Sequence, residues 1–208
     1  MKNLTVVLLV FFLYGNNCFA QRTKTTIISA KDISSVFVQA DEVFKITINA
    51  SKRKTIRYSV TAEGEYLQDI YIKNSIEGKE LKLESHYNKL LLGGQDKLAA
   101  HKVFALNLEI DVPQNFKVVV LSNLASVYAN GAFKYLETEL KAGQCSLSNF
   151  TGKAFVVTYT GDVFVKTKQA EVEAKSNLGA VKIDPRVGFG NLIKVKSISG
   201  DIVVKKIE

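Results

Sequence analysis

YTGDVFVK, Tyr159 to Lys166, returns near the end of the chain as SISGDIVVKK, Ser197 to Lys206. A reaction centre is built from unlike groups converging on one point, so its motif occurs once. A phrase that recurs in alternating apolar and polar residues is architecture. Aligning on its glycine brings in two further copies, giving Gly143, Gly161, Gly179 and Gly200, spaced by 18, 18 and 21 residues. Two residues after each glycine stands Cys145, Val163, Val181 or Ile202, and eighteen residues before Cys145 stands Val127. Seven residues before each glycine stands Leu136, Ala154, Val172 or Ile193. Every marker is apolar, and both registers share one period.

A period near twenty residues in β-type sequence describes a solenoid, whose single coil cannot bury its own apolar face and must stack on neighbours. The expected fold class is therefore all-β, a right-handed β-helix or solenoid-like stack of short strands with an 18–21-residue repeat in the C-terminal half, from about residue 121 to 208. A left-handed hexapeptide helix fails a simple test. Steps of six from Val127 place Glu139, Thr151, Gln169 and Lys175 among the inward positions. In the preferred arrangement Val163 stacks between Cys145 and Val181, facing inward, and the last coil is the outermost. The columns Lys166, Asp184, Lys205 and Glu137, Phe155, Glu173, Lys194 then mix signs and form cross-strand charge pairs. No continuous basic stripe is built, and Lys194, Lys196, Lys205 and Lys206 of the last coil protect an open sheet edge.

The first half reads as strands too: TTIIS, SSVFVQA, VFKITINA, TIRYSVTA, IYIKNS and ELKLES, with EYLQDI (65–70) as a short helical turn. FALNLEIDVP is a strand stopped by Pro113, which lacks the N–H that pairing needs, and NFKVVVLSN follows it. Between them the alternation fails over residues 86–101, HYNKLLLGGQDKLAAH, an irregular loop and the first place to look for a binding segment.

Residues 1–20 read as an export signal: Lys2, an apolar run from Leu4 to Tyr14, and small residues Cys18 and Ala20 before Gln21. That run is too short for a membrane-spanning helix, which needs about 20 residues. Acylation of Cys18 would want small residues where Asn16 and Asn17 stand. Residues 21–208 form one domain without a transmembrane segment, exported to the periplasm, the outer-membrane surface or the medium. Only Cys145 remains there, so no intramolecular disulfide holds the fold, and its register makes it a buried small hydrophobe. The whole chain carries 28 Lys and Arg against 20 Asp and Glu. That basic balance suits anionic glycans or lipid surfaces, or simply lysines on solvent faces of strands; nucleic acid is not expected of an exported chain.

Chemistry-bearing constellations are sparse. His86 and His101 are the only histidines and lack companion ligands, so no metal, cofactor or catalytic residue is expected. Asp162 and Asp201 occupy one slot of the repeat, filled by Gln144 and Ala180 in the other coils. As a catalytic pair they would stand about two strand spacings apart, near 10 Å. Arg186 is the only arginine of the repeats, and Tyr128 and Phe164 share an outward column.

The order from ISSVFVQADEVFKITINA through ELKLES, a loop, VFALNLEIDVPQNFKVVVLSNLASVYANGAF and then SGD-type repeats resembles the auto-transporter adhesin head GIN domain family of Bacteroidetes-type bacteria, over about residues 30–206. It reads LSNLASVYANGAF where that family has a small-residue phrase, and VFVQADEVF in place of a glycine turn. The resemblance implies a non-catalytic binding module of the cell envelope, contacting a glycan or an envelope or host-surface protein. Two alternatives are a polysaccharide-active β-helix enzyme, with paired acids on a lateral face, and an accessory protein that self-associates through its open edges.

Overall fold

The structure is a computed structural model that describes residues 22–63, 70–87 and 105–208. The expected export signal, residues 65–69 of the helical turn and residues 88–101 of the irregular loop lie outside the described residues. Ile70 opens a strand, and His86 and Tyr87 close another, extending it two residues past ELKLES.

Among the described residues there is no helix. The same residues form fifteen strands of one mixed sheet, which among them does not close on itself. It has two arms. The first runs, in spatial order, β1 (Arg22–Ser29), β4 (Thr55–Glu63), β7 (Ala105–Pro113), β3 (Lys45–Ser51), the first half of β9 (Ser126–Ala142), the first half of β10 (Cys145–Thr160), β11 (Val163–Thr167), β15 (Ile202–Lys206) and β13 (Val181–Ile183). The second runs β5 (Ile70–Glu77), β6 (Glu80–Tyr87), β2 (Ser35–Gln39), β8 (Lys117–Ser122), the second halves of β9 and β10, β14 (Leu192–Ser199) and β12 (Glu171–Ser176). Pairs β1/β4, β4/β7 and β5/β6 are antiparallel, and all other pairs are parallel.

The arms share β9 and β10, which bend between their halves at Gly131 and Gly152, both at positive φ. A Cβ on Gly152 would come within 2.0 Å of the Phe133 carbonyl oxygen, so the second bend requires glycine. Inside the bends the rings of Phe133 and Phe150 stack, 5.7 Å between centroids. The arms fold over one core, as the contact of Thr138 Oγ1 on the second with Cys145 Sγ on the first shows, at 3.7 Å. Alternation does the rest: β8 reads exposed, buried, half-buried, buried, half-buried, buried, so one face of it leaves water, as in β2, β3, β11 and β15.

Inward residues line up in rows across the strands. One row in the second arm is Leu81, Val36, Val118, Leu136, Ala154, Ile193 and Val172. Its counterpart in the first is Val60, Leu108, Ile46, Val127, Cys145, Val163, Ile202 and Val181. Both expected registers are present, and Val163 faces inward with no exposure.

The order of the last passes differs from the sequence reading. Val163 lies between Cys145 and Ile202, and Val181 lies beyond Ile202. After β11 the chain skips one place, lays down β12 and β13 as the outermost strands, and then returns with β14 and β15 to fill the gap. Burial explains which strands win the inner place. Ile193, Val195, Ile202 and Val204 are at most 1 % exposed, whereas Val181 and Ile183 of the outer pass are 39 % exposed. The inner place is covered on both sides, so the pass with larger apolar side chains gains more there. β12 alternates Glu171, Glu173 and Lys175 with Val172 and Ala174, a pattern suited to an edge.

Two expectations about charge change with that order. The lysines of β14 and β15 do not protect an open edge, because β12 and β13 hold the edge. Lys166 stands beside Lys205 rather than Asp184, so this column brings like charges together. Asp184 instead pairs with Arg186 at 2.7 Å, and that guanidinium holds its carboxyl well below the usual carboxylate range. The expected pair Lys194–Glu173 is present at 2.7 Å.

Cys145 has no exposure, and burial pushes its thiol up to about 12, with the Thr138 hydroxyl contact acting in the opposite direction. A thiol-specific reagent should therefore leave the native protein unmodified and react only after unfolding. Because the folded thiol ionises later than the unfolded one, its contribution is complete below the unfolded value near pH 9 and is lost as pH rises toward about 12. Denaturant titrations of wild type and Cys145→Ala should show a stability gap that narrows over that alkaline window. A constant gap would contradict the burial.

Candidate binding groove

The repeated aspartates are part of the frame. Asp162 Oδ1 accepts the N–H of Asp201 at 2.8 Å, and Asp201 Oδ1 accepts the N–H of Ala180 at 2.8 Å. They sit on adjacent passes, one strand spacing apart where the sequence reading had two, and each aspartate ties its corner to the next pass outward. Ala180 occupies the outermost place, where no further N–H needs an acceptor. The carboxylate of Asp111 is likewise structural. It receives Arg53 at 2.6 Å, Arg57 at 2.7 Å and Asn49 at 3.3 Å, joining β3, β4 and β7.

The other residues singled out by sequence stay apart. His86 stacks on Tyr71 at 5.8 Å between centroids, and His101 lies outside the described residues. Among the described residues no group of three or more His, Cys, Asp or Glu is placed to hold a metal ion. The outward column is Tyr128, Ser146, Phe164, Val203 and Lys182. Lys45 covers the Tyr128 ring at 5.3 Å, and Tyr128 is hydrogen-bonded to Gln144, so the column offers no open aromatic strip.

A different aromatic does face solvent. Where the strands of the second arm end, a shallow groove of about 440 Å³ runs across β2, β8, β9 and β10. Leu121 and Val157 floor it, half-buried; Gln39, Asp41, Asn123, Glu139 and Lys141 rim it; and Tyr159, 60 % exposed, stands at one end. Asp41 is fixed, with its Oδ1 accepting the Asn123 N–H at 3.1 Å and its own N–H donated to Ser85 Oγ at 3.0 Å. Thr160 Oγ1 donates to the Lys141 carbonyl at 3.1 Å, fastening the backbone beside the tyrosine. The result is an aromatic plate beside amide, carboxylate and ammonium groups on strand ends. Such a plate takes the apolar face of a sugar ring, and the planar polar groups take its hydroxyls.

Sequence reasoning missed this site although its signal was there. Leu121, Glu139 and Val157 are eighteen apart, as are Asn123, Lys141 and Tyr159. The registers followed were those inside the core, and Gln39 and Asp41 join only through the pairing of β2 with β8.

No family model and no curated protein matches this sequence. Among solved structures, the chain is similar to a "putative cell adhesion protein" from Clostridium sporogenes, with 15% identity over 90% of this chain and 100% of that one, and a TM-score of 0.66. It is also similar to a "putative adhesin" from Bacteroides fragilis, at 12% identity over 91% and 99% of the two chains, with a TM-score of 0.38. The first likeness shows the fold; the second is too low to carry an argument. No helix among the described residues is long and apolar enough to cross a membrane.

Proposed function

We propose that this chain is an exported, non-catalytic binding module of the bacterial cell envelope, a β-solenoid head related to the GIN-type adhesins. The groove ending at Tyr159 carries the proposal, because it has the parts of a saccharide grip on rigid strand ends. The name of the Clostridium neighbour agrees with adhesion, and the fold shared over 90% of this chain agrees with a head that presents its outer face. In this reading the aspartates of the repeat serve corners rather than cleavage.

The experiment is a glycan array probed with the protein secreted by cells, alongside protease treatment of intact cells. Binding of neutral saccharides is expected, with a loss of about tenfold in Tyr159→Ala. Complete protection from added protease together with an empty array would overturn the proposal. Release of reducing ends or unsaturated products from a bound polysaccharide would establish an enzyme in its place.

A further inference from the structure

The same arm carries a second surface of opposite character at its other end. Lys117, Tyr135 and Lys153 stand in one row across β8, β9 and β10. Neighbouring strands are about 4.8 Å apart, so the lysine backbones are about 10 Å apart with the ring between them. Lys117 Nζ lies 5.9 Å from the centre of that ring. Lys134 is exposed beside the row, and its N–H is donated to the Phe116 carbonyl at 3.0 Å, which seats it over the same corner. Along this corner follow Lys52 and Lys54 on one side and Lys168 and Lys206 on the other, all exposed. Continuity comes from backbone contacts: Gln114 N–H to Ser51 O at 3.0 Å, Asn115 N–H to Ala132 O at 3.0 Å, and Ile207 N–H to Thr167 O at 2.9 Å.

Among the described residues none of these seven lysines is in an ion pair. Of the acids nearby, Asp111 is engaged by Arg53 and Arg57 and Asp184 by Arg186, while Glu208 shares a hollow with Lys168 and Lys206. Glu80 and Glu171 lie at the two ends of the row, beyond Ser35 and Leu192, and bound it to the width of two cations. Burial and, next to it, Glu137 on the same strand raise the Tyr135 phenol above its usual range, so one carboxylate lies at the hydroxyl end of the ring.

We infer that this corner binds an extended anionic polysaccharide, with acidic groups of alternate sugars on Lys117 and Lys153, which stand on either side of Tyr135. An acidic group on every second sugar of a chain repeats at about the spacing of these lysines, and the lysines farther along continue the path. The row lies about 13 Å from the nearest groove residues, Leu121, Glu139 and Val157, and about 20 Å from Tyr159 along strands of the same arm, so the two sites do not share a side chain.

The test is titration of the full chain with hyaluronate, whose carboxylate recurs on every second sugar, at low and high salt. Binding that weakens steeply with salt is expected. Lys117→Glu with Lys153→Glu should lower affinity about tenfold or more. The same charge change at Lys175→Glu with Lys196→Glu, exposed on β12 and β14, should cost under about threefold, and Tyr159→Ala should leave binding intact. Equal losses in both lysine pairs, or equal binding of duplex DNA, would each overturn the inference. Circular dichroism melts of every variant separate lost binding from lost folding.

Discussion

Removal of residues 192–208 is expected to abolish cooperative folding. In a stack built in sequence order, losing the last pass would only shorten the molecule. Here β14 is paired on both sides, with β10 and β12, and β15 with β11 and β13. Their deletion opens a slot inside both arms and leaves β12 and β13 without strand partners. Burial of Ile193, Val195, Ile202 and Val204 alone is worth about 6–12 kcal/mol, comparable with the whole stability of an ordinary domain. A thermal melt by circular dichroism should lose its sharp transition, and limited proteolysis should degrade the shortened chain throughout. Melting within about 5 °C of the full chain would contradict the inner placement of these strands. Ile202→Ala, a milder lesion, should cost about 2–5 kcal/mol.

Gly161→Ala should be nearly as damaging for a change of one methyl group. Gly161 has a φ of +143°, and a Cβ there would stand 2.1 Å from the Gly143 carbonyl oxygen. The contact is with backbone of the neighbouring pass, so no side chain can swing away. A loss of about 3 kcal/mol or more is expected in urea titrations. Gly78→Ala supplies the comparison: φ is +60° but nothing lies within 4 Å, so only the local backbone cost of about 1 kcal/mol should appear. Equal losses at the two positions would show that the close approach of the passes is not what matters at Gly161.

The period in YTGDVFVK and SISGDIVVKK made the inward rows legible, because a side chain buried by its neighbours must be apolar at every pass. Spatial order was not legible from the period, since passes of equal length can exchange places without altering a register. Two residues did hold that information. Ala180 replaces the corner aspartate on the pass with no outer neighbour, and Ala174 gives β12 a smaller inward side chain than its counterparts Val156 and Val195. The groove was legible only from outward positions eighteen apart. Its share from β2 depends on a long-range pairing between residues 35–39 and 117–121, which no local pattern announces.

The inserted position of β14 and β15 also sets a timetable. Residues 192–206 leave the ribosome after residues 163–183, yet they occupy the slot that gives those residues their neighbours. β12 and β13 must therefore wait, unpaired, until the later segment arrives, and the stack closes from within rather than growing at its tip. It becomes a rigid body only when its wedge is driven home.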